Sequence, residues 1–79
     1  MHILTADKDL IPFTKDSKIR IKEIKHDQVL YGYNVELDNT ILDTYENEEE
    51  AEEVSRFIYN NINQEKIDIE QLNKQLEIL

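Results

Sequence analysis

"VLYGYNVELDNTILDTYENEEEAEEV", residues 29–54, is the stretch on which the fold is read. Val29, Tyr31, Tyr33, Val35 and Leu37 recur at every second position. That is the period at which strand side chains share a face, and β-branched and aromatic residues suit a half-buried one. Asp38-Asn39 follow as a two-residue turn, because both residue types tolerate positive φ. "TILDTY", 40–45, returns antiparallel, so a two-residue loop sets Leu37 opposite Thr40 and Val35 opposite Leu42. Asn47 then suits a helix N-cap, with Glu50 three residues on as its capping-box partner. Ala51, Val54, Ile58 and Ile62, with Phe57 beside them, form an apolar stripe at helical spacing. The pattern predicts a helix over about 48–62 lying on the sheet, which Asn60, Asn61 and Asn63 bring to an end.

On the N-terminal side, "HILT" (2–5) reads as a first strand. "LIPF" (10–13) reads as an extended piece that Pro12 confines to an edge. "KIRIKEI" (18–24) sets Ile19 and Ile21 on one face and Arg20 and Lys22 on the other. Ile24 falls out of phase, so a bulge or strand end is expected near Glu23. On the C-terminal side Asp68 caps a second helix over about 68–78, with Gln71 at N3 and an Ile67–Leu72 staple. The expected architecture is α+β: a small antiparallel β-meander of three to four strands, then two C-terminal helices, the first packed on the sheet. It occupies a single domain, 1–79, with the sheet in 1–45.

Seventy-nine residues lie near the lower size at which one apolar core suffices without staples. No cysteine is present, so neither disulfides nor thiolate metal sites contribute. No apolar run approaches the roughly 20 residues of a membrane span, and "MHILTADKD" lacks the basic and apolar regions of a secretory signal. The chain is read as soluble and cytoplasmic, with no membrane partner.

The net charge of −9 is unevenly placed. Residues 1–33 hold six Lys/Arg against five Asp/Glu, and residues 34–79 hold three against thirteen. Phosphates need cationic partners, so direct nucleic-acid binding is not expected, whereas attraction to a basic protein surface is.

The acidic run has two readings. Glutamates in a first helical turn interact well with the positive end of the helix, each contributing about 0.3–1 kcal/mol. Glu48, Glu49, Glu52 and Glu53 also repeat one turn apart on the solvent side, where like charges cost a few tenths of a kcal/mol. A face tuned only for stability would interleave lysines. The candidate partner-binding residues are therefore Glu46, Glu48, Glu49, Glu52 and Glu53, with Asp43.

Catalysis and metal chemistry find little support. "DTYENEEE" lacks the glycine of a calcium loop, and a helix points its carboxylates apart. His2 and His26 are far apart, Ser17 and Ser55 sit in no nucleophile elbow, and the lone glycine, Gly32, belongs to a strand. No enzyme activity, cofactor or metal is expected. Tyr31 and Tyr33 are expected to pack under the first helix, with Gly32 marking a bulge or a close backbone approach. Lys15, Lys18, Arg20, Lys22 and Lys25 form a basic strip suited to glutamates of the same chain or a second copy. Ile69, Leu72, Leu76 and Leu79 line the last helix; they bury either on their own domain or in an isologous dimer.

"ILTADKDLI" and "ILDTYENEEEAEEV" together resemble short uncharacterised proteins of phages and prophages of Gram-positive bacteria. Those open like I-L-(S/T)-x-D-K-x-x-(L/I) and close like I-L-G-x-Y-x-(T/S)-E-E-x-A-x-x-V before a helix. Ile3, Leu4, Thr5, Asp7, Lys8, Leu10 and Ile11 match the opening. Ile41, Leu42, Tyr45, Glu48, Glu49, Ala51 and Val54 match the closing. Asp43 replaces the usual glycine, and Asn47 the usual Thr or Ser. The resemblance implies a mobile-element origin and carries no activity with it. At fold level the chain also looks like small acidic anti-CRISPR proteins, which occupy the nucleic-acid groove of a nuclease.

The leading expectation is thus a non-enzymatic phage or prophage accessory protein. It would bind and modulate a basic, nucleic-acid-handling host protein through the acidic helix. The alternatives are an oligomeric nucleotide-binding protein, with Arg20, Lys22 and the tyrosines at a subunit junction, and a self-associating assembly protein.

Overall fold

The computed structural model describes residues 1–78. Its α+β fold contains two three-stranded sheets and two helices. The strands are β1 (His2–Leu4), β2 (Leu10–Pro12), β3 (Ile19–His26), β4 (Val29–Leu37), β5 (Thr40–Tyr45) and β6 (Lys66–Asp68). The helices are α1 (Glu48–Asn60) and α2 (Ile69–Gln75).

The meander is real but covers only β3-β4-β5, joined by two-residue turns at Asp27-Gln28 and Asp38-Asn39. All four turn residues have positive φ, as the primed turns of twisted hairpins require. β1 instead starts a second sheet, antiparallel to β2 and parallel to β6. The three-residue strand β6 was not expected: it falls between the two predicted helices and takes in Asp68, the predicted start of the second. Its pairing of Ile3 with Ile67 joins the two ends of the chain. The sheets meet where the Ala6 N–H donates to the Leu42 carbonyl at 2.9 Å.

Two irregularities alter the expected facing of side chains. Ile24 pairs with Gly32 but Lys25 with Leu30, so Tyr31 is an extra residue in β4. The disturbance falls near Glu23, as the phase of Ile24 suggests, but the added residue belongs to the partner strand. Only Tyr33, Val35 and Leu37 therefore keep to the core side. Val29 is 53% and Tyr31 63% exposed, so Tyr31 does not pack under α1. The second irregularity makes Leu42 extra in β5, and Val35 pairs with Asp43 rather than Leu42. The predicted Leu37–Thr40 pairing is present.

Gly32 is buried, and a Cβ there would come within 2.7 Å of the Tyr45 carbonyl oxygen. Backbone oxygen cannot give way without moving β5, so Gly32→Ala is expected to cost about 1–3 kcal/mol, the usual penalty of overpacking. Urea unfolding would show this as a lowered midpoint at unchanged slope.

α1 buries Ala51, Val54 and Ile58 against the β3-β4-β5 sheet. It stops before the predicted residue 62 because Asn61 turns on the helix end, its side-chain amide donating to the Phe57 carbonyl at 2.8 Å. Ile62, the last position of the stripe, is 52% exposed. α2 is also shorter than predicted. Asp68 caps it, accepting from the Glu70 and Gln71 amides. Glu77 then adopts φ 60°, and the Glu77 and Ile78 N–H groups return to the Lys74 and Asn73 carbonyls. This Schellman stop turns Ile78 back onto the core.

One core holds residues from both sheets and both helices, including Ile3, Phe13, Leu42, Ile58, Ile67, Ile69 and Leu72. Ile69 and Leu72, candidates for a contact between copies, are 0% and 2% exposed within their own chain. Leu76 is half-buried against that core, and Leu79 lies outside the described residues. The cis alternative accounts for the described part of the stripe. No helix among the described residues is long and apolar enough to cross a membrane.

Candidate functional site: an acidic groove between the helices

Asn47 caps α1 as expected, but Glu50 answers with a bond to the Asn47 side-chain amide and not to its backbone N–H. Asn47 Oδ1 accepts from the Glu50 amide at 2.8 Å, and Asn47 Nδ2 donates to Glu50 Oε1 at 2.6 Å. That bond anchors the start of α1 and fixes where its glutamates point. Because the Schellman stop bends the chain at Glu77, the end of α2 lies beside the start of α1. Between them is a groove of about 370 Å³ walled by Glu46, Glu49, Glu50, Glu53 and Glu77, with Leu76 and Ile78 as its apolar part.

The structure therefore divides the predicted acidic surface. Glu46, Glu49 and Glu53 join the groove. Glu48 and Glu52 occupy the other flank of α1, where Glu52 borders a shallow depression with Ile21, Ser55, Arg56 and Tyr59. Glu46, Glu48, Glu49, Glu52 and Glu53 are all exposed, and none makes an ion pair among the described residues. Arg56, one turn after Glu52 and Glu53, pairs with neither.

Asp43 belongs elsewhere. The bulge at Leu42 turns it to the helix side of the sheet, where Oδ2 accepts from Asn73 Nδ2 at 2.8 Å. Asn73 Oδ1 in turn accepts from the Tyr45 hydroxyl at 2.8 Å. Asp43 thus holds α2 to β5 and is not part of the acidic face. Glu77, Leu76 and Ile78 were missed as groove residues, since nothing in their local pattern says what α2 docks beside. Glu50 had already been assigned to the cap.

Burial, and secondly the nearby Asp43 carboxylate, push the Tyr45 phenol well above its usual range. The folded state keeps a proton that the unfolded chain releases near pH 10, so this stabilisation is complete below about pH 10 and lost as pH climbs toward the folded value. Stability is expected to fall by up to about 1.4 kcal/mol per pH unit above about pH 10. Tyr45→Phe removes that alkaline slope while costing about 1–2 kcal/mol at neutral pH, because Asn73 Oδ1 loses its donor. Urea titrations at neutral and alkaline pH check both; an unchanged slope in the Phe variant would refute the assignment.

Among the described residues, no three His, Asp or Glu side chains converge as metal ligands. Arg20 and Lys22 lie on the outer sheet face while Tyr33 and Tyr45 lie on the helix side, so within the chain they line no common nucleotide site. The chain matches no family model, no curated protein and no solved structure. Its surface carries an anionic groove with Leu76 and Ile78 as its apolar part and, on β3, the exposed cations Arg20, Lys22 and Lys25.

Proposed function

We propose that this chain is a non-enzymatic binding protein that engages a basic protein surface through the acidic groove between α1 and α2. One observation carries the reading: five glutamates wall a single groove with Leu76 and Ile78, and among the described residues no lysine or arginine lines it. A cation entering it meets several carboxylates at once, and an aliphatic stem beside that cation can cover Leu76 and Ile78. The fitting partner is a segment rich in Lys or Arg with an apolar anchor. A protein surface that otherwise holds nucleic acid has that character, and α1 would compete for it as an anionic mimic. The resemblance to phage and prophage proteins is the reason to seek the partner in a Gram-positive host, where the chain would act as an accessory inhibitor or modulator.

The test compares two charge variants on one identified partner. Immobilised protein is loaded with host lysate and eluted in salt steps, and the stoichiometric retained protein is purified. Its affinity is then measured for Glu46→Gln/Glu49→Gln/Glu53→Gln and for Glu48→Gln/Glu52→Gln. Selective loss in the groove variant supports the proposal. Equal affinities, or no salt-released partner, would sink it.

A further inference from the structure

β3 is an edge strand, and its outer edge is open. Among the described residues it pairs with β4 alone, and the two-residue turn after His26 directs the even-numbered residues of β3 toward β4. The Ile19 N–H confirms the alternation, since it points away from β4 and donates to the Tyr59 hydroxyl at 3.0 Å. Past that contact the backbone groups of Ile21 and Glu23 face outward with no hydrogen bond among the described residues. Such a row is a ready template for another strand.

The side chains flanking this edge differ by face. On the outer face stand Arg20 and Lys22, both exposed. Arg20 makes no ion pair among the described residues, and Lys22 reaches Glu36 only at 3.7 Å, with its side chain 58% exposed. On the inner face, Ile21 borders the depression of about 290 Å³ whose other residues, Glu52, Ser55, Arg56 and Tyr59, come from α1. A strand added to β3 would set alternate residues beside the two cations and the residue between them over Ile21 and the Tyr59 ring.

From this we infer that the β3 edge is a β-augmentation site for an extended acidic segment of another protein, one that alternates carboxylates with apolar residues. Main-chain hydrogen bonds supply the attachment and the alternating pockets the selectivity. A second copy does not fit the edge. In the antiparallel registers that pair most of β3, either Lys22 would oppose Lys22 or Arg20 of its mate, or Glu23 would oppose Glu23, and like charges directly opposite destabilise a sheet. Lys22 and Arg20, which deter the registers that bring them together, are also the groups that select an anionic strand. This site is separate from the acidic groove, and neither reading depends on the other.

The experiment titrates isotopically labelled protein with a short capped peptide alternating Glu and Val, and in parallel with its Lys–Val counterpart. Slowed exchange and shifted resonances at the Ile21 and Glu23 amides are expected with the Glu–Val peptide only. In Arg20→Glu/Lys22→Glu, which alters exposed positions, Glu–Val affinity is expected to fall roughly tenfold as two cross-strand attractions become repulsions. The Lys–Val peptide is expected to gain there. Equal binding of both peptides to the native chain, or no amide response, would overturn the inference. So would protection that rises with protein concentration alone, which would make the edge a contact between copies.

Discussion

Ile69→Ala is expected to remove about 3–4 kcal/mol of stability, the range for truncating a fully buried aliphatic side chain where the surroundings cannot collapse. A chain of this length commands about 4–12 kcal/mol in all, so the variant would be marginal at best. The position explains the size of the effect. Ile69 is fully buried immediately after β6, where strand pairing to β1 ends and α2 begins. At seven residues α2 is too short to persist alone, and its place depends on Ile69, Leu72 and the Asn73 bonds. Truncation opens a cavity under the β1–β6 pairing and loosens the helix whose end forms one wall of the groove. Unfolding in urea gives the energy, and sedimentation gives the oligomeric state. If Ile69 served a contact between copies, the variant would stay folded and dissociate; buried in its own core, it should unfold without any change in association.

How much of this was legible in the sequence depends on the range of the interactions involved. The β4–β5 hairpin, the Asn47 cap and the stripe of α1 are local, each set by residues a few positions apart, and their patterns show through. β6 is invisible locally because Lys66–Asp68 is strand only by virtue of pairing with β1, more than 60 residues away. The bulges at Tyr31 and Leu42 have the same character. Ala6 takes the Leu42 carbonyl and Gly32 yields to the Tyr45 carbonyl, and neither approach is written in the strands' own alternation. Each slip reassigns a predicted residue: Tyr31 goes out to solvent, and Asp43 goes in to Asn73. The acidic site was legible as a charge run but not as a groove, because its second wall arrives with α2. Glu77 in particular reads as one more helix residue until its positive φ turns the chain.

Neutralising the groove separates the two readings of the glutamate run by whether affinity is lost while stability holds. Glu46, Glu49 and Glu53 each face a bound cation if the groove is a binding surface. At about 0.5–1 kcal/mol apiece near the surface, losing all three is expected to weaken binding by roughly thirtyfold, with a shallower dependence on salt. Stability should move little. Glu49 stands in the first turn of α1, where its charge gains from the helix dipole, but it also repels Glu53 one turn on. Those contributions are of similar size and nearly cancel, while removing the Glu53 charge alone relieves repulsion without a dipole loss. A face shaped only by helix physics therefore predicts unchanged or slightly raised stability and no loss of affinity. A binding face predicts the same stability with most of the affinity gone. Glu48→Gln/Glu52→Gln calibrates the comparison, because it removes the same kind of like-charge pair from the flank that faces away from the groove. If that variant weakens binding as much as the groove variant does, the partner senses only the net charge of α1 and not the pocket that Leu76, Glu77 and Ile78 complete.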